Sequence, residues 1–126
     1  MKTILTHLSL ALTLSTAAVI ADDTEKAQAE RLAALDAYWA EVSRSVREGD
    51  FAAYEKTTHP EAVLVSGSKK ISYPLSQALA RWKKEFDDTR DGTRTSKVTF
   101  RFAHRYGDAT TAHEAGIFLY EFKQGD

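Results

Sequence analysis

Residues 94–122 read RTSKVTFRFAHRYGDATTAHEAGIFLYEF, and this stretch decides the fold of the chain. It alternates β-branched and aromatic residues with polar ones, which is typical of half-buried strands. Gly107 and Asp108 lie near its middle, where a tight turn joins the strands of a hairpin. The stretch therefore predicts two long antiparallel strands, over residues 94–106 and 109–122.

The alternation also predicts which side chains share a face of the hairpin. If Tyr106 faces Ala109, one face packs on helices and the other is left aromatic. The helix-packed face then holds Val98, Phe100, Phe102, His104, Thr111, His113, Ala115 and Ile117. The other face holds Thr99, Arg101, Ala103, Arg105, Glu114, Gly116, Phe118, Tyr120 and Phe122. Because so aromatic a face is unfavourable in water, we expect a homodimer through this outer face, at Arg101, Phe118, Tyr120 and Phe122, or more sheet to cover it.

The chain before the hairpin carries helical patterns. Apolar residues at steps of three and four predict one helix over residues 24–48 and another that begins at Pro74. Gly49 and Asp50 suit the end of the first helix and the N-cap of a short second helix, residues 51–57. The two apolar stripes are Leu32, Leu35, Trp39, Val42 and Val46, and Leu75, Leu79, Trp82 and Phe86. His59-Pro60 ends the second helix, and residues 62–65 form a short apolar run that predicts a strand.

The first 21 residues have the layout of a secretory signal peptide. Lys2 precedes a diluted apolar run, and small residues lead up to Ala21, after which the chain turns polar. The run is too short and too polar for a membrane anchor. We expect cleavage after Ala21, a periplasmic or secreted protein, and a mature domain of residues 22–126 that has no membrane attachment.

Composition narrows the function classes. The 126 residues hold 17 Lys plus Arg against 18 Asp plus Glu, a balance that argues against a nucleic-acid binder. The chain has no cysteine, which excludes disulfides, thiolate metal sites and a cysteine nucleophile. One domain fits the length, and no glycine-rich phosphate loop or paired-carboxylate motif is present. We expect no cofactor and no metal, because His59, His104 and His113 lack a paired metal-ligand spacing.

The order of elements resembles the nuclear-transport-factor-2-like superfamily, and in particular its SnoaL-like members. The segments that carry the resemblance are REGDFAAYEKTTHPEAVLVSG (47–67), ALARW (78–82) and VTFRFAHRYGDATTAHEAG (98–116), together with Trp39. The resemblance implies an α+β fold in which three N-terminal helices pack on a curved antiparallel sheet around a cone-shaped pocket. Family members carry two further strands, so the domain, which ends at YEFKQGD, is expected to lack its last strands.

The resemblance also bears on chemistry. Ketosteroid isomerases of this superfamily use a tyrosine on the first helix and a carboxylate after the first strand. The corresponding positions here are Val42 and Ser66, which argues against isomerase chemistry. Elsewhere, His113 and His59 are the candidate acid–base residues, since an imidazole changes charge near neutral pH. The alternatives give these histidines no catalytic role. His113 then lines the pocket wall, His104 lies near the exposed hairpin tip, and His59 only ends a helix.

The expected ligand pocket is lined by aromatic and polar side chains from the helices and the sheet. These are Tyr38, Trp39, Tyr54, Trp82, Phe100, Phe102 and His104. Apolar walls with a few inward polar groups suit a small, largely apolar molecule. The leading prediction is therefore an exported small-molecule-binding domain. The alternatives are a SnoaL-like acid–base enzyme of the isomerase, cyclase or hydratase type, and a non-catalytic dimerisation module.

Overall fold

The computed structural model describes residues 12–125, with side chains from Thr24 onward. The elements in this range are α1 (Leu12–Glu48), α2 (Phe51–Lys56), β1 (Val63–Ser66), β2 (Ile71–Pro74), α3 (Leu75–Arg90), β3 (Arg94–Gly107) and β4 (Ala112–Gln124). The chain is therefore α+β, with helices and two small antiparallel sheets, β1–β2 and β3–β4. Residues 1–11 of the predicted signal peptide lie outside the described residues.

The helices meet at a small apolar core. Val42 and Val46 of α1 are buried, as are Leu79 and Phe86 of α3, while Leu32, Leu35 and Trp39 are half-buried. The ring of Phe51 on α2 lies edge-on to that of Phe86, with centroids 5.6 Å apart. The apolar stripes predicted from the three-and-four spacing thus do face the interior.

The junction between α1 and α2 forms as the sequence predicts. Gly49 has φ +68°, the left-handed conformation common just after a helix. Asp50 caps α2, since its Oδ1 accepts a hydrogen bond from the Ala53 amide at 3.1 Å. A Cβ on Gly49 would lie 2.3 Å from the backbone N of Arg90, so the junction sits directly against the end of α3.

The strand β2 is an element that the sequence pattern does not predict. Ile71–Pro74 pairs antiparallel with β1, with Val63 opposite Pro74 and Ser66 opposite Ile71. Ser72 and Tyr73 are therefore strand residues, and α3 begins at Leu75, one residue after the predicted start at Pro74. Pro74 fits the end of this strand because the unpaired ribbon edge does not require its missing N–H.

The predicted register of the long hairpin is wrong. Asp108 Oδ1 accepts hydrogen bonds from the Thr110 and Thr111 amides at 2.8 and 2.9 Å, so the strands are joined by a longer loop than a two-residue turn. Ala112 consequently pairs with Gly107, and Phe118 pairs with Phe100. The ladder also shifts between Phe102 and His104, which indicates a β-bulge at Ala103.

The bulge decides which residues of β3 face the helices. Up to Phe102, even-numbered residues of both strands share the helix-facing side. Beyond the bulge Arg105, opposite Glu114, takes that side, and His104 turns to the outer face with Tyr106 and His113. Phe118, Tyr120 and Phe122 therefore lie on the helix-facing side, while Arg101 lies on the outer face. The surface predicted for a homodimer is split between the two faces.

Candidate functional site

The aromatic cluster consists of two groups of rings, one on α2 and α3 and one between α1 and the helix-facing side of β3–β4. The Tyr54 ring of α2 contacts two side chains of α3, with centroids 6.4 Å from Trp82 and 4.9 Å from Phe86. On the sheet side, Trp39 of α1 lies 4.4 Å from Phe100 and 5.2 Å from Phe102. Aromatic rings at these separations stabilise one another and hold their orientation.

Part of this cluster is open to solvent. Phe118, whose ring lies 6.3 Å from that of Phe100, is 69% exposed, and Tyr38 and Tyr120 are each 38% exposed. Trp82 and Tyr54 are half-buried. The aromatic surface is therefore accessible to a small molecule approaching along the helix-facing side of β4.

Three phenol groups lie in this surface, and that of Tyr54 is within electrostatic reach of those of Tyr38 and Tyr120. Burial raises the pKa of the Tyr54 phenol, and the nearby phenols of Tyr38 and Tyr120 raise it further. The hydroxyls of Tyr38 and Tyr54 make no hydrogen bond to any residue that the structure describes. Both hydroxyls are thus available to a polar group of a ligand.

The third phenol, Tyr120, belongs to a polar network that joins β4 to α3. Its hydroxyl donates to Glu85 Oε2 at 3.0 Å, and Arg94 binds the same carboxylate oxygen at 3.1 Å. The Arg94 side chain is only 10% exposed and lies 4.0 Å over the ring of Phe122. Buried Ser96 bonds Thr89 of α3 at 2.9 Å. This network fixes the end of the hairpin against α3.

A second network fixes the other end of the hairpin against α1. Glu114 accepts hydrogen bonds from Trp39 Nε1 and from Arg105 Nε, each at 2.6 Å. Arg105 also pairs with Asp36 and lies 4.8 Å from the Phe102 ring centroid. The Glu114 side chain is 10% exposed, so these hydrogen bonds offset the cost of burying its carboxylate. Sequence reasoning missed Glu114 and Arg105 as site residues because the regular alternation put them on the outer face.

The structure separates the predicted pocket residues into two groups. Tyr38, Trp39, Tyr54, Trp82, Phe100 and Phe102 all belong to the aromatic cluster or its border. His104 does not, because the bulge places it on the outer face, where its ring stacks 5.7 Å from Tyr106. Placing His104 in the pocket was therefore wrong.

The predicted acid–base residues do not meet. His113 is exposed on the outer face of β4, opposite Tyr106 of β3. His59 is exposed in the loop before β1, and its Nδ1 accepts a hydrogen bond from the Glu61 amide at 3.1 Å. His113 and His104 do share a face, as the sequence predicts, but that face is turned away from the helices.

Two surface depressions lie at the margins of the cluster. One, of about 340 Å³, is lined on its floor by Trp39, Val98 and Phe100 between α1 and β3. The other, of about 480 Å³, lies at the α1–α2 junction beside Asp50 and Lys83. Neither lining includes Tyr38 or Tyr54, so these two phenols lie outside both depressions.

Metal-binding clusters and membrane-crossing helices are both absent from residues 12–125. No set of three histidine, cysteine, aspartate or glutamate side chains in this range is grouped so as to hold a metal ion. None of the helices there is both long enough and apolar enough to cross a membrane.

Comparison with known proteins found no match to a protein family model, to a curated protein or to a solved structure.

Proposed function

We propose that this chain is a small-molecule-binding domain of the nuclear-transport-factor-2-like type, and that the ligand binds against the helix-facing side of the long hairpin. The observation that carries the proposal is that two phenols, Tyr38 beside the indole of Trp39 and Tyr54 beside that of Trp82, have no hydrogen-bond partner among the described residues. The ring of Phe118 on the same side of the hairpin is open to solvent. In the cone-shaped arrangement that the resemblance implies, this surface is the pocket wall.

The side chains define the class of ligand. Rings from α1, α2, α3 and the sheet offer apolar area, so most of the ligand is apolar. Two phenol groups without protein partners favour a ligand with one hydrogen-bond acceptor, such as a carbonyl oxygen. Because burial raises the pKa of Tyr54, its phenol stays protonated and able to donate at neutral pH.

The proposal is tested by titrating the purified chain with 2-acetylnaphthalene, an apolar bicyclic ketone. The chain contains two tryptophans, and Trp82 lies in the proposed site, so binding should change the intrinsic fluorescence. A ligand in large excess over its dissociation constant raises the melting temperature, since about 2.7 kcal/mol is added at a hundredfold excess.

A pair of tyrosine variants makes the test specific. Tyr54→Phe should weaken binding by roughly fivefold, because it removes one hydrogen bond worth about 1 kcal/mol. Tyr73→Phe is the matched control, since that hydroxyl lies on β2 and accepts a hydrogen bond from Arg81 at 2.8 Å, outside the cluster. Equal binding by the two variants would contradict the assignment of Tyr54 to the site.

We further propose that the protein is exported and that residues 1–21 are removed. What supports this proposal is the sequence, in which Lys2, a diluted apolar run and small residues up to Ala21 precede the polar start Asp22-Asp23. Mass spectrometry of the protein from the exported fraction tests this, since a chain that keeps Met1–Ala21 would contradict it.

A further inference from the structure

One edge of β3 pairs with no strand in residues 12–125, since β4 pairs with the other edge. From Arg94 to Phe102 the β3–β4 ladder is regular, and it shifts only beyond Phe102. In an antiparallel ladder, alternate residues direct their N–H and C=O groups away from the partner strand. Consecutive strands usually pair side by side, so a strand that follows β4 in sequence extends the sheet at β4 and leaves this edge of β3 as it is. The regular part of β3 therefore offers a row of backbone groups to an added strand.

The depression of about 340 Å³ between α1 and β3 reaches this edge. Its lining includes Val98 and Phe100, which face the helices, and Thr99, which faces outward. Because neighbouring residues of a strand point to opposite faces, a lining that holds all three reaches around the edge of β3. The helix α1 contributes Ala40 and Ser43 to the same lining. A strand added to β3 would therefore place its inward-pointing side chains in this depression, against α1.

The charges beside this edge are positive. Lys97 and Arg101 are exposed on the outer face of β3, on either side of Thr99. Arg101 lies opposite Ile117 and has no acidic partner among the described residues. Lys97 Nζ is 3.9 Å from Glu121 Oε2, in a pair whose side chains are both more than half exposed, and such pairs are weak. Both cations can therefore bind the carboxylates of an added strand.

We propose that the free edge of β3 binds an extended acidic peptide, which adds antiparallel to β3 and seats its apolar side chains in the depression beside α1. Strand addition takes its affinity from main-chain hydrogen bonds and its specificity from pockets for alternate side chains. The peptide residues opposite Lys97 and Arg101 are then acidic, and those opposite Val98 and Phe100 are apolar. A threonine suits the position opposite Thr99, because threonine pairs hydrogen-bond across strands. The resulting pattern is Glu-Leu-Thr-Val-Glu.

Charge argues against a second copy of this chain as the occupant. Antiparallel pairing of two β3 edges about Thr99 would place Lys97 of each copy opposite Arg101 of the other. Like charges directly opposite one another are destabilising, and exposed cations keep edge strands from pairing with their own kind. The same two cations attract an acidic strand. The site is separate from the proposed ligand surface, since neither Tyr54 nor Trp82 lines the depression.

The probe is the acetylated and amidated peptide Glu-Leu-Thr-Val-Glu with a fluorescent label, and fluorescence anisotropy measures its binding to the full chain. The acidic peptide should bind roughly tenfold more tightly than the matched peptide Lys-Leu-Thr-Val-Lys. Exchanging both protein charges, with Lys97→Glu and Arg101→Glu together, should reverse this preference. The matched control combines Lys69→Glu and Lys70→Glu, because these lysines are exposed in the β1–β2 turn, and it should keep the preference for the acidic peptide.

A second pair of variants tests the depression. Ala40→Phe places a ring in the lining and should weaken binding of the acidic peptide by roughly tenfold. Ala80→Phe makes the same change at an exposed position of α3 outside the lining, and should bind the peptide as the unchanged chain does. Tyr54→Phe should also leave peptide binding unchanged, which separates this site from the proposed ligand surface.

Failure of the acidic peptide to bind would overturn the proposal, as would equal binding of the acidic and basic peptides. Sedimentation of the free chain tests the second copy, since a dimer that Ala40→Phe converts to monomer would assign this edge to self-association. A small molecule is tested with 2-acetylnaphthalene. If Ala40→Phe abolishes binding of this ketone and leaves peptide binding intact, the depression holds a small molecule, and the proposal is equally overturned.

Discussion

Replacing Gly49 by alanine tests how tightly the α1–α2 junction is held against α3. The new Cβ would lie 2.3 Å from the backbone N and 2.8 Å from the Cα of Arg90, and 2.5 Å from the carbonyl oxygen of Phe86. These are backbone atoms of a helix, so they cannot swing aside as a flexible side chain does. The helix itself has to move away from the junction.

The loss in free energy of unfolding expected for Gly49→Ala has two separable parts. Gly49 has φ +68°, and an alanine in the left-handed region costs about 1–2 kcal/mol. Forcing extra volume into a close contact adds about 1–3 kcal/mol. We expect Gly49→Ala to lower the free energy of unfolding by about 3 kcal/mol, which corresponds to a fall of roughly 15 °C in melting temperature for a domain of this size.

Gly92→Ala measures the cost of the left-handed backbone conformation alone. Gly92 has φ +80°, but a Cβ at this position would have no other atom within 4 Å, so only the backbone cost applies. We expect about 1 kcal/mol there. Thermal and urea unfolding followed by circular dichroism measures both variants. If Gly49→Ala costs no more than Gly92→Ala, the close approach of α3 to Gly49 is not a feature of the folded protein.

Three further predictions concern the Glu114 network, the hairpin loop and the Tyr54 phenol. Glu114→Gln should lower the free energy of unfolding by about 2 kcal/mol, because it weakens the buried acceptor of Arg105. Asp36→Asn is the control and should change it by no more than about 0.5 kcal/mol, since the Asp36 side chain is 67% exposed. Equal losses in chemical unfolding would contradict the assignment of Glu114. Hydrogen bonds from the loop amides and the Thr110 hydroxyl lower the pKa of Asp108 from 3.8 to about 2. The stability that Asp108 adds to the hairpin should therefore be present above pH 3.8 and be lost as the pH falls toward 2. Carboxyl NMR measures the pKa, and Asp108→Asn is the control that should lack this pH dependence. Burial raises the pKa of Tyr54, so one phenol should ionise above the ordinary tyrosine range in an alkaline absorbance titration, and Tyr54→Phe should lack it. The stability of the fold should decline as the pH rises past about 10, because the folded state favours the protonated phenol.

Local signals in the sequence predict the helical half of the molecule well. The α1–α2 junction depends on Gly49 and Asp50, whose conformational and capping preferences act within a few residues. The buried positions of α1 and α3 follow from the three-and-four spacing of Val42, Val46 and Leu79. Helix signals of this kind do not depend on distant partners, and so a single sequence contains them.

The sheet depends on signals that are not local. A two-residue turn at Gly107-Asp108 is a reasonable expectation, but Asp108 organises a longer loop through the amides of Thr110 and Thr111. This change moves every cross-strand pair, because register is set by loop length. The strand β2 was missed for a related reason, since only its pairing with β1 distinguishes it from a helix-capping segment.

The candidate site follows the same division. Tyr38, Trp39, Tyr54 and Trp82 lie on helices, so their positions depend on local signals that the sequence contains. The position of His104 depends on the bulge at Ala103, and no residue type in the sequence predicts that bulge. Glu114 likewise becomes a buried partner of Trp39 only in the observed register.

The bulge at Ala103 reverses which residues of β3, odd-numbered or even-numbered, face the helices. Before it, even positions face the helices, and after it odd positions do. Ala103 can therefore be deleted without turning any other side chain through the sheet, because the pairs on either side of it keep their partners. A deletion at Thr99 instead inverts part of the strand and exchanges Val98 or Phe100 for charged neighbours. Length variation in this hairpin is accommodated at one residue, and in related chains an extra or missing residue is expected there.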